Sequence, residues 1–262
     1  MAEIDCRAPS ARTRDERAGD GYTGRMEDHR DERYVEADFS GSRFRGVVLH
    51  GVTISDALIE DVDISGHVRS LTVNGIDVAA YVEAELDRRH PERRLLAAQD
   101  LPGLREGWDV VQGIAGRTLD RARDLAPELL DERVDGEWSY LETLRHLVCA
   151  TDRWISGPIF ADPEPFHRLG RPNDPVDEWP EGLFDLDAHP TLDEVLAARN
   201  DRIERVSSVL RDLDPAGLDR EVESPYEGAT TVRYCLHVIL REEWWHDQYA
   251  TRDLTVLERL GT

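Results

Sequence analysis

The chain has 262 residues, which is enough for one large domain or for a helical bundle with an appendage. Its 55 acidic and 32 basic residues give a formal net charge of −23, so nucleic-acid binding is not expected, because such binding normally needs a basic face. Apolar residues make up 40% of the chain, sufficient for a core, and the 3 cysteines show no CxxC spacing, which argues against a disulfide scaffold or a zinc ribbon.

The N-terminal residues 1–33 are rich in charged and small residues and carry almost no apolar ones, which predicts a disordered tail. They also lack the hydrophobic segment of a secretory signal. No apolar stretch approaches the roughly 18 residues that suggest a membrane span. We therefore expect a cytoplasmic protein that does not bind a membrane.

Residues 34–75 carry an apolar residue at every fifth position. The series is Phe39, Phe44, Leu49, Ile54, Ile59 and Ile64. A period of five fits neither an α-helix nor a flat strand, and it favours a coil that points one apolar side chain inward at each turn, similar to the pentapeptide-repeat β-helix. Such a solenoid normally needs about three units, so we expect this short β segment to dock on the rest of the protein. A pair of β-hairpins with coincidental spacing is the alternative.

Residues 76–100 predict a short helix over 78–89, ended by Pro91, and a linker. Residues 101–262 then show four long helical patterns, over 102–125, 140–155, 192–213 and 232–254. The second opens with the capping box Ser139 and Glu142, and the third with Thr191 and Glu194. The sequence therefore predicts a mainly α protein with a four-helix bundle. The Pro-rich connection 157–190 is long for a compact domain and is typical of a segment that covers a site.

The last predicted helix carries Glu242 and His246 four residues apart, so both project from one face, one turn apart. They can take two adjacent positions on one metal ion, and the best third ligand is His146, which has apolar neighbours on the second predicted helix. Three protein ligands leave a position open for water or substrate, as in catalytic sites. Two alternatives stay open: histidines that are merely satisfied in the core, and a pair Glu243 and His246 with the spacing of di-iron bundles, which would need a second such motif.

Neighbouring residues have simpler interpretations. Cys149 shares a face with His146, but a buried core thiol is favoured over a ligand. His237 lies about 180° round the helix from His246 and is expected off the site. Of Trp244 and Trp245, one should pack in the core and the other beside the pocket.

Charged residues near the site are expected mostly at the surface. Glu243 is predicted to be a solvated charge, with contact to a ligand as the alternative. Arg252 and Asp253 are expected to form a structural pair near the helix end. Arg145 and Arg153 are candidate receptors for an anionic substrate, with surface salt bridges as the default interpretation.

Two segments carry a family resemblance. The first is Gly136-Glu137-Trp138-Ser139 leading into Glu-Thr-Leu-Arg-His-Leu at 142–147, and the second runs from Glu-Glu-Trp-Trp-His at 242–246 to Arg-Asp-Leu at 252–254. Residues 101–254 thereby resemble the DinB/YfiT-like superfamily, particularly its branch similar to mycothiol-dependent maleylpyruvate isomerase. The resemblance implies a four-helix bundle with a divalent metal, zinc or else nickel, on His146, Glu242 and His246. The usual family pair is His-x-x-x-His, whereas this sequence has Glu at the first place, as the isomerase branch does.

The resemblance also implies chemistry with a low-molecular-weight thiol such as mycothiol or bacillithiol. An open metal site can lower the pKa of a thiol or can activate water. The leading hypothesis is a metal-dependent thiol S-transferase or isomerase acting on a small electrophile, with Trp154 and the 157–190 connection shaping the pocket. One alternative is a metal-dependent hydrolase of a small amide or ester, with Glu243 as a weak candidate base.

A second alternative is a non-catalytic interaction protein with a structural or vestigial metal, in which the repeat segment serves as the interaction surface. The sequence leaves the oligomeric state open, and a homodimer is compatible with it.

Overall fold

The computed structural model describes residues 28–44, 47–66, 68–173, 179–223, 225 and 228–260. The predicted tail covers residues 1–33, and its first 27 residues lie outside the described residues. Two small antiparallel strand pairs are present, Thr72–Val73 (β1) with Ile76–Asp77 (β2) and Glu221–Glu223 (β3) with Ala229–Thr231 (β4). All other regular structure in the described residues is helical, so the fold is mainly α.

Five α-helices carry the fold: Ala79–Arg89 (α1), Leu101–Arg123 (α2), Tyr140–Thr151 (α3), Leu192–Asp212 (α4) and Val232–Leu260 (α5). All five lie where the sequence predicts helices. Two of them differ from the prediction by more than two residues at their C-terminal ends. The helix predicted over 140–155 is α-helical only to Thr151 and continues as a π-helical turn, Asp152–Ser156. The last helix extends six residues beyond the predicted end at Leu254.

The predicted capping boxes are present at both helix starts. The Ser139 hydroxyl accepts from the backbone N–H of Glu142, while the Glu142 carboxylate accepts from the backbone N–H of Ser139. Thr191 and Glu194 make the same reciprocal pair at the start of α4. Each box satisfies backbone N–H groups that the helix itself leaves without partners.

The directions of the long helices explain the length of the crossover, residues 157–190. Arg105 near the start of α2 donates to the carbonyl of Leu210 near the end of α4, so these two helices are antiparallel. Contacts such as Arg121 with Glu258 show that α2 and α5 run parallel, and α3 runs against α5. It follows that α3 and α4 are parallel, and a connection between parallel neighbours has to return along the full length of the bundle.

The core lies between α2, α3, α4 and α5. Its largest fully buried side chains include Trp244, Leu104, Ile155, Leu236, Ile239 and Leu254. Burial of an apolar side chain of this size contributes about 1.5–3 kcal/mol, so this core is the main source of stability for the bundle. Within the described ranges, every helix is too short or too polar to serve as a membrane span.

The repeat segment has a five-residue period in its backbone. Left-handed φ values recur at Glu36, Gly41, Gly51, Asp56, Asp61 and Gly66. The apolar series, however, is not buried: the described side chains from Phe39 to Ile64 in this series are 48–72% exposed. No strand is present in the described residues between 34 and 71. The series is therefore not buried in the way that a closed coil would bury it, and a pentapeptide-repeat β-helix is not shown.

The repeat segment meets the bundle at the loop before α3. The Arg43 guanidinium donates to the carbonyl oxygen of Asp135 at 3.2 Å and also lies 3.3 Å from its carboxylate. Both side chains are well exposed, so this contact is weak.

Candidate metal centre

Three side chains from α3 and α5 meet at one point of the bundle. His146, Glu242 and His246 each offer one ligand atom, and these atoms lie within 4.8 Å of one another. The Glu242 Oε2 atom is 3.4 Å from His146 Nε2 and 3.3 Å from His246 Nδ1. In the part of the chain that the structure describes, this is the only such group of three or more potential ligands. The arrangement could hold a metal ion.

Helix geometry brings the three residues together. Glu242 and His246 are one turn apart on α5 and therefore share a face. His146 comes from α3, which runs antiparallel to α5 and faces it over several turns. The capping box fixes where α3 begins, and the start of the helix sets the direction in which His146 projects.

A backbone carbonyl of the crossover orients His146. The Nδ1 atom of His146 lies 3.1 Å from the carbonyl oxygen of Arg171. A carbonyl can only accept, so Nδ1 carries a hydrogen, and Nε2 is the ring nitrogen that faces Glu242. An imidazole that binds a metal through one nitrogen is commonly held through the other in this way.

The charges of the group also suit a cation. Burial and the neighbouring His146 together lower the pKa of His246 to about 4, although Glu242 opposes this. Burial alone would raise the pKa of Glu242, but the contact with His146 and the nearby His246 outweigh it and hold that pKa below its usual value. Near neutral pH the site therefore presents a neutral His246 and an ionised Glu242, the forms that bind a metal.

One side of the group is open to solvent. The side chain of Glu242 is 31% exposed and that of His246 is 15% exposed, whereas His146 is 5% exposed. The three ligand atoms are two nitrogens and one oxygen. The group is buried on the side of His146 and reaches solvent on the side of Glu242, which leaves room for a further ligand. These residues fit a divalent metal with an accessible coordination position.

The indole of Trp138 covers the two imidazoles, and sequence reasoning assigned it no role. Its ring centroid is 4.8 Å from that of His146 and 6.4 Å from that of His246, with the second pair nearly parallel. The Arg171 guanidinium lies 5.9 Å from the indole on the crossover side. The residue stands immediately before the cap Ser139, which was the signal that could have placed it near His146.

A buried carboxylate supports this indole-covered side of the site. Glu142 pairs with both Arg133 and Arg171 while it caps α3. Burial raises the pKa of Glu142, but the hydrogen bonds from Arg133 and Ser139 outweigh burial and keep the pKa below its usual value. Glu142 therefore stays ionised and ties the crossover to the start of α3.

Glu243 differs from its prediction as a solvated charge. Its side chain is 1% exposed, and both of its oxygens lie 2.8 Å from Nη2 of Arg199 on α4. Because adjacent helix positions point about 100° apart, Glu243 faces away from the solvent side where Glu242 lies. The hydrolase alternative would need the Glu243 carboxylate as its base, but this carboxylate is engaged in the ion pair with Arg199.

The two arginines considered as anion receptors have other partners. Arg145 is buried, and its guanidinium donates to three carbonyl groups of the crossover, so it is neither a surface residue nor available to a substrate. Arg153 lies over the indole of Trp179, with its Cζ 4.6 Å from the ring centroid.

Trp154 does not line the metal group. Its ring lies 5.8 Å from that of Tyr234, which is eight residues before Glu242 on α5 and thus about 12 Å away along the helix axis. It also packs against the hydrophobic core. Trp154 is therefore not adjacent to the metal group, and its role in an electrophile pocket stays a prediction.

Several other residues lie as predicted. Trp244 is in the core, and His237 contacts the carbonyl of Ala98, away from the site. Cys149 is buried and is not among the grouped ligand atoms. Arg252 and Asp253 form an ion pair at 2.7 Å. Trp245 packs against the hydrophobic core and stacks on Tyr249, whose ring is 5.8 Å from that of His246, so its predicted place beside the pocket is not confirmed.

These features define a helical-bundle protein with a two-histidine, one-carboxylate site able to hold a divalent metal. The family model described as DinB superfamily matches residues 112–250, which is more than half of the chain and includes all three grouped residues. The chain belongs to the DinB superfamily. No curated protein and no solved structure matches it.

Proposed function

We propose that this protein is a metal-dependent enzyme that transfers a low-molecular-weight thiol, such as mycothiol, to a small electrophile or uses the thiol to isomerise it. The observation that carries the proposal is the open group of His146, Glu242 and His246. A zinc ion held there would lower the pKa of a thiol and supply the thiolate nucleophile. The resemblance of the 136–147 and 242–254 segments to the mycothiol-dependent isomerase branch supports the choice of thiol.

The residues of the chain prepare the site for this chemistry. His146 is held through Nδ1 by the Arg171 carbonyl, so its Nε2 is fixed toward the site. Glu242 contributes one negative charge, which leaves a bound divalent ion with net positive charge to attract a thiolate. Trp138 shields the two imidazoles from water on one side and directs a ligand to the open side.

The thiol in this proposal comes from a small molecule rather than from the chain. Burial raises the pKa of the Cys235 thiol to about 11, so this thiol stays protonated near neutral pH. Cys149 is also buried and outside the grouped ligand atoms. Neither described cysteine is placed to act as the nucleophile.

The hydrolase alternative is less well supported. It needs a general base near the metal, and the candidate Glu243 is buried in its ion pair with Arg199. A base must be within hydrogen-bond reach of the proton that it removes.

The proposal is tested by incubating zinc-loaded protein with mycothiol, bacillithiol or glutathione and a panel of small electrophiles, and by following thiol consumption. We expect consumption with at least one thiol, and its loss in Glu242→Gln, which keeps the size of the side chain but removes its charge. The matched control is Glu258→Gln, because Glu258 lies on the same helix and pairs at the surface with Arg121. Turnover without any thiol would contradict the proposal and favour hydrolysis. Absence of both turnover and electrophile binding would also contradict it.

A further inference from the structure

Arg145 on α3 makes hydrogen bonds to two separate parts of the crossover, at residue 169 and at residues 185–188. Its Nε donates to the carbonyl of Leu169 at 2.9 Å, and its Nη1 donates to that of Ala188 at 2.8 Å. Its Nη2 donates to the carbonyl of Asp185. The residue is only 2% exposed, so these hydrogen bonds form away from water, and no acidic side chain pairs with the guanidinium among the described residues. A buried arginine whose guanidinium donates to three loop carbonyls acts on the conformation of that loop.

The same part of the crossover holds the neighbouring histidine. The backbone N–H of Arg171 donates to the carbonyl of Arg145 at 3.1 Å, and the Arg171 carbonyl accepts from Nδ1 of His146 at 3.1 Å. Two consecutive residues of α3 thus make three hydrogen bonds to the short segment from Leu169 to Arg171. The carbonyl that orients His146 lies two residues from the carbonyl that Arg145 holds.

The segment also packs closely on α3 at Gly170. A Cβ atom added there would lie 3.3 Å from Cβ of Cys149 and 3.0 Å from both a ring carbon of Phe184 and the carbonyl of His167. These distances are shorter than ordinary van der Waals contacts, so a methyl group would fit only if its neighbours moved by a few tenths of an ångström. The position of the Arg171 carbonyl therefore depends on the fit of the segment as well as on Arg145.

We propose that Arg145 is a positioning residue of the metal centre: through the segment from Leu169 to Arg171 it fixes the carbonyl that orients His146. This inference rests on the proposed metal site. Partners that orient a metal-binding imidazole typically affect metal affinity by about 10–100-fold. Lysine cannot replace arginine here, because its single ammonium group cannot reach three carbonyls in the geometry of the guanidinium.

Two variants perturb the segment from opposite sides. Arg145→Lys removes the hydrogen bonds from α3, while Gly170→Ala leaves every side chain of α3 intact and displaces the crossover instead. Arg168→Ala is the matched control, because Arg168 immediately precedes the segment, is exposed and, among the described residues, pairs through its side chain only with Asp185. The expected result is about 10–100-fold weaker zinc binding in both test variants and unchanged binding in the control.

Zinc affinity is measured by competition with a chromogenic chelator, at a temperature at which circular dichroism shows each variant folded. The ¹⁵N shifts of the His146 ring in metal-free protein give a second readout that general destabilisation does not move. We expect the Nδ1–H form in the wild type and in Arg168→Ala, and a mixture of tautomers in Arg145→Lys and Gly170→Ala.

Three results would count against the inference. Wild-type affinity and an unchanged His146 tautomer in both test variants would overturn it and leave the proposed function standing. Weaker binding with an unchanged tautomer would also overturn it, because the effect would then not pass through His146. Failure of the wild type to bind zinc would overturn both proposals together.

Discussion

The acidic residues Glu242 and Glu243 are neighbours in the sequence and occupy opposite environments. Glu242 is partly exposed beside two imidazoles, whereas Glu243 is buried against Arg199. A buried ion pair of this kind commonly costs about as much in desolvation as it returns in attraction, but loss of one partner leaves the other charge uncompensated. Glu243 therefore serves the packing of α5 against α4, and of the two carboxylates only Glu242 belongs to the candidate metal group.

Replacement of Glu243 by leucine should lower the free energy of unfolding by about 3–5 kcal/mol, because Arg199 is left buried without its partner. The double variant Arg199→Met with Glu243→Leu should recover most of this loss and still bind zinc. The measurement is chemical denaturation together with zinc titration of all three proteins. Loss of zinc binding in the stable double variant would show that Glu243 belongs to the site after all.

The buried Cys235 thiol makes a pH-dependent contribution to stability. Its pKa is about 11 in the folded protein against an ordinary value of 9.0. Below pH 9 the thiol is protonated in both states; above pH 9 the unfolded chain releases the proton and the folded chain does not, so stability is lost as pH rises toward 11. The loss is at most about 3 kcal/mol. Denaturation at pH 8 and pH 10.5 should show a smaller loss in Cys235→Ala than in the wild type, whereas equal losses would contradict the assignment.

The helices and their starts could be predicted from the sequence because their signals are local. Apolar periodicity gave the helical regions, and the Ser139 and Thr191 capping boxes fixed two starts. The end of α5 was missed because no Gly or Pro stop signal follows Leu254 before Gly261. The π-helical turn after Thr151 depends on tertiary contacts instead: the Asp152 carboxylate binds Arg202 from α4 and the backbone N–H of His167 from the crossover. Such partners leave no local pattern in the sequence.

The two capping boxes offer a matched comparison. Ser139→Ala and Thr191→Ala should each lower the free energy of unfolding by about 1 kcal/mol, because each removes a side-chain acceptor from a helix start. Only the first lies next to Trp138 and shares Glu142 with Arg133 and Arg171, so only Ser139→Ala should also weaken zinc binding. Thermal unfolding and zinc titration of both variants check this, and equal zinc affinity in the two would contradict it.

The grouping of the three candidate ligands could be predicted, but the surroundings of the site could not. The i,i+4 spacing of Glu242 and His246 is visible in the sequence, and the apolar neighbours of His146 together with the family resemblance pointed to the third residue. The carbonyl of Arg171 that orients His146 is invisible, because any residue has a carbonyl and its place depends on the path of the crossover. For the same reason Arg145 was taken for a surface residue: its partners are backbone atoms of residues that lie 24 to 43 positions away.

At the scale of the molecule, the metal-binding bundle and the repeat segment are joined by few interactions. The described contact between Arg43 and Asp135 is exposed and contributes about 0–1 kcal/mol. The apolar series from Phe39 to Ile64 buries little surface against the bundle. The bundle with α1 and the turn that follows it should therefore hold the metal without the segment.

A chain that begins at residue 70 should fold, bind zinc with wild-type affinity and unfold with a free energy within about 1 kcal/mol of the full chain. The truncation keeps the short helix Pro91–Ala97, whose Leu96 belongs to the core. Chemical denaturation and zinc titration of the two chains are the measurements. A large loss of stability would show that the repeat segment is a structural part of the bundle.

The proposed function requires one divalent metal that joins α3 and α5 through His146, Glu242 and His246. The direct measurement is the metal content of purified, dialysed protein, compared between the wild type and His246→Ala, with His237→Ala as a control from the same helix. We expect close to one equivalent of metal per chain in the wild type and in the control, and nearly none in His246→Ala. A wild type without metal, or a His246→Ala variant that retains the full amount, would contradict it.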